Sequence, residues 1–351
     1  MPILALADDM TGALEVGAKF SKVGIPTVVF AKPAAASSAC VTVFDTETRH
    51  TSPDAAAAEL KRFVLQSGVG RPRLIYKKTD STLRGNISAE LRALSELYPD
   101  WSIGYAPAYP ALGRTVKNGA LYVDGVAVEQ TAFAQDRLNP IRGGSVLAML
   151  PPELTVTVFN GETDEHLREA ARYILADRSM RIAAGPAGLA EMISSEIDMA
   201  RGTPLPLPRV RSCLVMNGSL HDRSRFQMRH AEGPGWRIVK RDYPREADAA
   251  QVASENGAYL VERIAADNPD AVFVIGGDTA FAVIAALGLP PLAPIGEVIA
   301  GVPITRIEAA EMGRLLPGRT RDLLLITKAG GFGDPDALCR VRQTLSADHA
   351  E

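Results

Sequence analysis

Short apolar runs that stop abruptly at polar clusters set the rhythm of this chain. Ile3 to Ala7 runs into Asp8-Asp9-Met10-Thr11-Gly12, and Val41 to Phe44 into Asp45-Thr46-Glu47-Thr48-Arg49-His50. Arg73 to Tyr76 runs into Lys77-Lys78-Thr79-Asp80-Ser81-Thr82-Leu83-Arg84-Gly85-Asn86. Apolar runs of this length bounded by turn residues predict buried strands. Between them the spacing turns helical: Leu14, Ala18 and Phe20 ahead of a closing Gly24, a segment from about Pro53 to Gln66, and Ile87, Leu91 and Leu94 behind Asn86, a good N-cap. Pro26–Phe30, Ile103–Ala106, Val156–Phe159 and Arg181–Ala184 add strands, and Asp164–Ala176 a helix. This alternation predicts an α/β fold whose N-terminal part is a three-layer, mostly parallel sheet with helices on both faces. Asp124-Gly125 between apolar residues predicts a tight hairpin.

Gly202-Thr203-Pro204-Leu205-Pro206-Leu207-Pro208 breaks the rhythm. Alternate prolines make a semi-rigid extended spacer, so two domains are expected, 1–208 and 209–351. The second, smaller domain restarts the pattern. Cys213–Met216 runs into Asn217-Gly218-Ser219, Ala271–Ile275 into Gly276-Gly277-Asp278-Thr279, and Leu323–Thr327 into Lys328-Ala329-Gly330-Gly331.

Length agrees with this division, since 351 residues exceed one comfortable core. Hydrophobic content of 46% and charged content of 23% are those of a soluble globular protein, and a net charge of -3 argues against nucleic acid or membrane surfaces as partners. Three widely spaced cysteines read as free thiols, and no membrane span is apparent, so a cytoplasmic location is expected.

If the strands are parallel, the turns at Asp8-Asp9, Arg49 and 77–86 share one sheet edge, where ligands of open α/β sheets bind. A cationic cluster holding one acid suits an anionic, hydroxylated small molecule. Asp9 is expected to face the ligand, and Arg114, in the proline-studded loop after Tyr105, is a further anion contact. Asp80 lies among Lys77, Lys78 and Arg84, which lower its basicity. Asp9 has only Asp8 as a charged sequence neighbour, which makes it the better base. The glycine-rich turns of the second half expose backbone N–H groups able to cradle phosphates. There is no Walker-type loop, no dinucleotide fingerprint after a strand, no zinc spacing among the five histidines and no nucleophile elbow.

These motifs resemble the four-carbon acid sugar kinases, which phosphorylate threonate, erythronate or 3-oxo-tetronate with ATP. Ala7-Asp8-Asp9-Met10-Thr11-Gly12-Ala13 is similar to the family's opening block, and Lys77 to Asn86 to its most specific signature. Ala106-Pro107-Ala108-Tyr109-Pro110 with Gly113-Arg114-Thr115 resembles a third block; Gly276 to Thr279 and Lys328 to Gly333 resemble the nucleotide motifs. The resemblance implies a sugar-acid-binding N-terminal domain, an ATP-binding C-terminal domain and transfer in the cleft between them. It implies Asp9 or Asp80 orienting and deprotonating the attacking hydroxyl, with Arg84 also catalytic. Arg49, Lys77, Lys78, Thr79, Ser81 and Arg114 would join them around the sugar acid. Ser219, Gly276, Gly277, Asp278, Thr279, Gly330 and Gly331 would line the nucleotide site, with Mg²⁺ borne largely by phosphates and water and no protein ligand to it named. Self-association is left open. His221 stands where the family usually carries a serine, and the C-terminal half looks short. The competing expectations are a non-catalytic sugar-acid sensor on the same scaffold, or a kinase for a larger or branched oxo-acid.

Overall fold

A computed structural model of the chain describes residues 2–35, 39–136, 139–241, 243, 248–331 and 333–346. The first half contains β1 (Ile3–Ala7), α1 (Met10–Ser21), β2 (Thr27–Phe30), β3 (Val41–Asp45), α2 (Pro53–Gln66), β4 (Leu74–Lys78), α3 (Ile87–Leu97) and β5 (Ser102–Tyr105). A small antiparallel excursion follows: β6 (Arg114–Lys117), β7 (Ala120–Val123) and β8 (Val126–Ala127). The chain then returns through β9 (Val156–Val158), α4 (Asp164–Ala176), β10 (Met180–Gly185) and α5 (Ala187–Glu196). Seven strands form one parallel sheet in the order β2-β3-β1-β4-β10-β5-β9. Its central strands β1, β3 and β4 are buried along their whole length, as a sheet covered on both faces requires. α2 and α3 pack together on one face, while α5 packs against both α1 and α4 on the other.

Local chemistry sets the helix starts. The Ser52 hydroxyl caps α2 ahead of Pro53, the Thr163 hydroxyl caps α4, and the Asp9 carboxylate caps α1. Asn86 departs from expectation. It precedes α3 without capping it, and its amide instead donates to the carbonyls of Thr48 and Thr51, tying the β4–α3 turn to the loop after β3. Asp124 and Gly125, both at positive φ, close the expected β7–β8 hairpin.

After an exposed stretch without regular structure at 200–209, the second half forms β11 (Cys213–Asn217), α6 (Asp222–Gln227), β12 (Trp236–Ile238), α7 (Ala249–Asp267), β13 (Ala271–Ile275) and α8 (Gly277–Ala286). It continues with β14 (Ala293–Ile299), β15 (Val302–Ile307), α9 (Ala309–Leu315), β16 (Leu323–Lys328) and α10 (Ala337–Ser346). The sheet order is β12-β11-β13-β16-β15-β14, parallel through β16 and antiparallel beyond it. The fold is therefore two α/β domains.

α1 joins them. The β14–β15 hairpin covers the face of α1 turned away from the first sheet, so eleven of its residues, Met10 to Phe20, are buried. Lys19 on α1 reaches Glu191 of α5 at 2.7 Å and Glu297 of β14 at 2.5 Å. Val29 and Leu292 exchange two backbone hydrogen bonds of 2.9 Å, joining edge strand β2 to the segment before β14.

Candidate active site

β1, β3 and β4 are neighbours in register, with Ala7 opposite both Asp45 and Lys78. Their carboxyl ends therefore deliver three turns to one edge, as the polar clusters imply. Arg49 is the hub. Its Nε and Nη2 donate to the two oxygens of Asp8 at 2.9 and 2.8 Å, and Nη1 donates to Asp9 Oδ2 at 2.6 Å. Asp9 also accepts from the Gly12 amide at 2.9 Å and the Thr11 hydroxyl at 2.8 Å. Burial, the largest influence on Asp9, pushes its carboxyl up, but Arg49, Lys78 and Thr11 together outweigh it and leave the pKa lowered. Folding brings to Asp9 two cations that its sequence neighbours do not show, yet it remains the less strongly lowered of the two acids, since Asp80 is lowered further.

Asp80 accepts from Arg84 Nη2 at 2.9 Å and Nε at 3.1 Å, from the Thr82 amide at 2.9 Å and from the Thr82 hydroxyl. Against the upward push of burial, Arg84 and Arg49 hold Asp80 well below the usual carboxylate value. Arg84 also lies over the Phe133 ring, 5.4 Å from its centroid, and contacts Asp136 at 3.2 Å.

The two lysines of the signature part company. Successive strand residues point to opposite faces. Lys78 faces α1, and a Cβ built on Gly12 would lie 2.8 Å from its Nζ. Lys77 faces α3, where it is fully buried and pairs at 3.0 Å with Glu90, which also accepts from Thr48. Assigning Lys77 to the ligand is therefore corrected: it secures the sheet to α3. Thr79 is likewise buried and lies outside the pocket lining.

Asp9, Arg49, Lys78, Asp80, Ser81, Arg84 and Arg114 all line one small pocket of about 70 Å³, with Glu15, Tyr109 and Phe133 completing its wall. That pocket adjoins an interdomain cleft of about 1000 Å³, which Asp9, Arg49, Arg84 and Phe133 also line. The far wall of the cleft is the carboxyl edge of β11, β13 and β16, and all seven residues expected around a nucleotide line it: Ser219, Gly276, Gly277, Asp278, Thr279, Gly330 and Gly331. Gly276 has φ +112°, which turns the chain directly from β13 into α8 so that the helix N-terminus meets the cleft. A Cβ on Gly330 would lie 2.6 Å from Ser219 Cβ, so the two turns touch by backbone approach. The domains also approach each other where the pocket meets the cleft: a Cβ on Gly277 would sit 3.4 Å from Asp9 Oδ2. Phe332 lies outside the described residues. Lys328 is buried beneath these turns, its amine donating to the Ala329 carbonyl at 2.8 Å and pushed down to about 7 by burial and then by Arg223. His221 lines the cleft beside Gly331, and its ring Nδ1 accepts from the Arg223 amide at the start of α6.

Sequence reasoning missed Glu15, Tyr109 and Phe133, and on the cleft side Lys240, Tyr243 and Asn256. Glu15 carried a usable signal, since it stands four residues after Thr11 on a helix. Among the described residues no helix is long and apolar enough to cross a membrane.

The family described as the sugar-binding N-terminal domain matches residues 3–155, and that described as the nucleotide-binding C-terminal domain matches 237–338. The D-threonate kinase of Bordetella bronchiseptica is 29% identical, with 97% of this chain and 96% of that protein covered. Their alignment spans 408 positions, so that relative carries insertions which this chain of 351 residues lacks. The 3-oxo-tetronate kinase of Methylobacterium radiotolerans is 25% identical, with 97% and 98% covered. A solved structure from Salmonella typhimurium LT2 shares the fold at a TM-score of 0.75 and 18% identity, covering 97% of this chain and 99% of that one. With both domain matches in order, and relatives of nearly full coverage that are kinases of four-carbon acids, this chain belongs to the four-carbon acid sugar kinase family.

Proposed function

We propose that this chain transfers the terminal phosphoryl group of ATP to a hydroxyl of a four-carbon sugar acid. The observation that carries this reading is the junction at Asp9, where a small cationic pocket opens onto a glycine-lined cleft. Arg49, Lys78, Arg84 and Arg114 suit the acid's carboxylate and the transferring charge. The pocket is small, about 70 Å³, and opens onto the cleft, which suits a small sugar acid. The cleft, at about 1000 Å³, has room for a nucleotide. The turns at Gly276-Gly277 and Gly330-Gly331, with the α8 N-terminus, would hold phosphates.

In this reading the substrate hydroxyl oxygen bonds to the terminal phosphorus, the bond to the bridging oxygen breaks, and ADP leaves with that electron pair. Asp9, ionised and held by Arg49, orients the hydroxyl and receives its proton as transfer completes. Among the described residues no group of three His, Cys, Asp or Glu could hold a metal. A magnesium ion would be borne largely by the phosphates and water, where it would neutralise their charge. A coupled ADP-release assay over D-threonate, D-erythronate and 3-oxo-tetronate tests the proposal. Turnover with at least one acid is expected; absence of acid-dependent ADP release with all three overturns it.

A further inference from the structure

Three carboxylates line the small pocket: Asp9, Glu15 and Asp80. Two already have partners within the chain, Asp9 in Arg49, Thr11 and the Gly12 amide, and Asp80 in Arg84 and Thr82. Glu15 is 8% exposed, yet it makes no hydrogen bond or ion pair with any described residue. A carboxyl group so largely withdrawn from water, open only to the pocket and without a partner in the chain, is destabilising, which leaves a place for a partner that arrives with the ligand.

The surroundings say what that partner is. An anionic ligand group would be repelled by Glu15 and drawn instead to Arg49, Lys78, Arg84 and Arg114 in the same wall. A cationic group would be repelled by those four. A neutral donor remains, and on a sugar acid that is a hydroxyl. Position then decides which kind of hydroxyl. Asp9 lines both the pocket and the cleft, whereas Glu15 lines the pocket and not the cleft. It stands four residues along α1 from Thr11, about one turn or 6 Å farther along the helix.

We propose that Glu15 accepts a hydrogen bond from a hydroxyl of the bound sugar acid other than the one that is phosphorylated, and so determines which hydroxy acids the pocket takes. The inference rests on the sugar-acid reading and adds to it a residue that recognises hydroxylation. Burial pushes the Glu15 carboxyl up to about 7, opposed by Lys78 and Lys19 and reinforced by Asp9 and Glu297. Both its ionised and neutral forms retain an accepting oxygen.

The test is calorimetric binding without nucleotide, so that it does not depend on turnover. D-threonate, D-erythronate and their 2-deoxy and 3-deoxy counterparts are titrated into the wild-type chain, Glu15→Gln and Glu15→Ala. The wild type is expected to prefer a fully hydroxylated acid over one deoxy counterpart by about 10-fold or more. In Glu15→Ala that ratio falls below about 3-fold while the deoxy acid still binds, which also shows that the variant folds; Glu15→Gln, with a neutral acceptor oxygen, keeps part of it. A merely structural role would weaken all the acids alike and leave the ratio unmoved. An unchanged ratio in Glu15→Ala, or a wild type indifferent to both deoxygenations, overturns the assignment of Glu15 alone. A wild type that binds none of these acids overturns the sugar-acid reading and this inference with it.

Discussion

Replacing Arg49 by Met would leave two buried carboxylates side by side without the cation that holds them. Arg49 makes two hydrogen bonds to Asp8 and one to Asp9, at 2.9, 2.8 and 2.6 Å, and Asp8 is almost completely buried. Removing one partner of a buried ion pair costs about 3–5 kcal/mol, because the remaining charge is left desolvated. At roughly 2–4 °C per kcal/mol for a domain of this size, the N-terminal domain should melt about 6–20 °C lower. Arg49→Lys restores a point charge without the fork, so an intermediate loss is expected.

The pH dependence gives a sharper test. In the wild type the Asp9 pKa is lowered, so its contribution is present above the unfolded value of 3.8 and is lost as pH falls through the folded value. Without Arg49, burial is the largest influence left, and the pKa is expected to rise above 3.8. A raised carboxyl reverses the sign, and stability is then lost as pH rises through the folded value. Glu15 and Glu47, both pushed up to about 7 by burial, already give the wild type a stability loss near neutrality. The quantity to measure is therefore the difference between Arg49→Met and wild type in urea unfolding, from pH 5 to pH 8. It should widen with pH. A difference under about 1 kcal/mol, or one that shrinks with pH, would refute the reasoning.

Asp9→Asn should lower kcat by on the order of 10²-fold or more with modest change in sugar-acid affinity, while Asp80→Asn, by releasing Arg84, should raise the Kd instead; the opposite pattern would reassign the base. Lys77→Met should cost about 3–5 kcal/mol in denaturant unfolding because Glu90 is stranded, whereas Lys78→Met should chiefly weaken sugar-acid binding by calorimetry; equal effects would contradict their division between the two faces. Gly330→Val should abolish nucleotide binding, read by fluorescent ADP-analogue titration, and leave sugar-acid affinity intact, because the new Cβ would meet Ser219; loss of both or of neither would remove Gly330 from the nucleotide wall.

The edge of the first sheet is legible because a parallel strand buried on both faces is a nearly unbroken apolar run, and such runs end where the backbone leaves the sheet. Asp9, Arg49 and Asp80 could be placed together from that rule. The pairing of charges could not, because it depends on which side of the sheet each residue faces and what folds over it. Lys77 and Lys78 are adjacent and chemically alike, and the alternation of the strand alone sends them to different neighbours. The same gap explains Asp9, whose sequence neighbours suggest a proton-holding acid and whose spatial neighbours, Arg49 and Lys78, make it an ionised one. The Phe133 wall was illegible for another reason. It comes from the excursion between β5 and β9, and nothing in its composition marks the turn that reaches Arg84.

The helix α1 shows how much more a charged position says once both of its flanks are known. A helix with one wet face spends its charges there, and they need no further account. α1 has no wet face, since the first sheet covers one side and the β14–β15 hairpin the other. Its two ionisable residues, Glu15 and Lys19, stand four apart, the spacing at which opposite charges on one helix pair. Here they do not pair. Lys19 turns to Glu191 and Glu297 and links α1 to elements of both domains. Glu15 is left facing the pocket beside Lys78, whose amine donates to the Thr79 carbonyl. An acid that does not pair with the base on its own helix, and opens only onto the pocket, is placed for a group the folded chain does not supply. Only with the second domain in position does α1 lose its wet face, so it looks ordinary in the sequence and becomes informative once the β14–β15 hairpin closes over it.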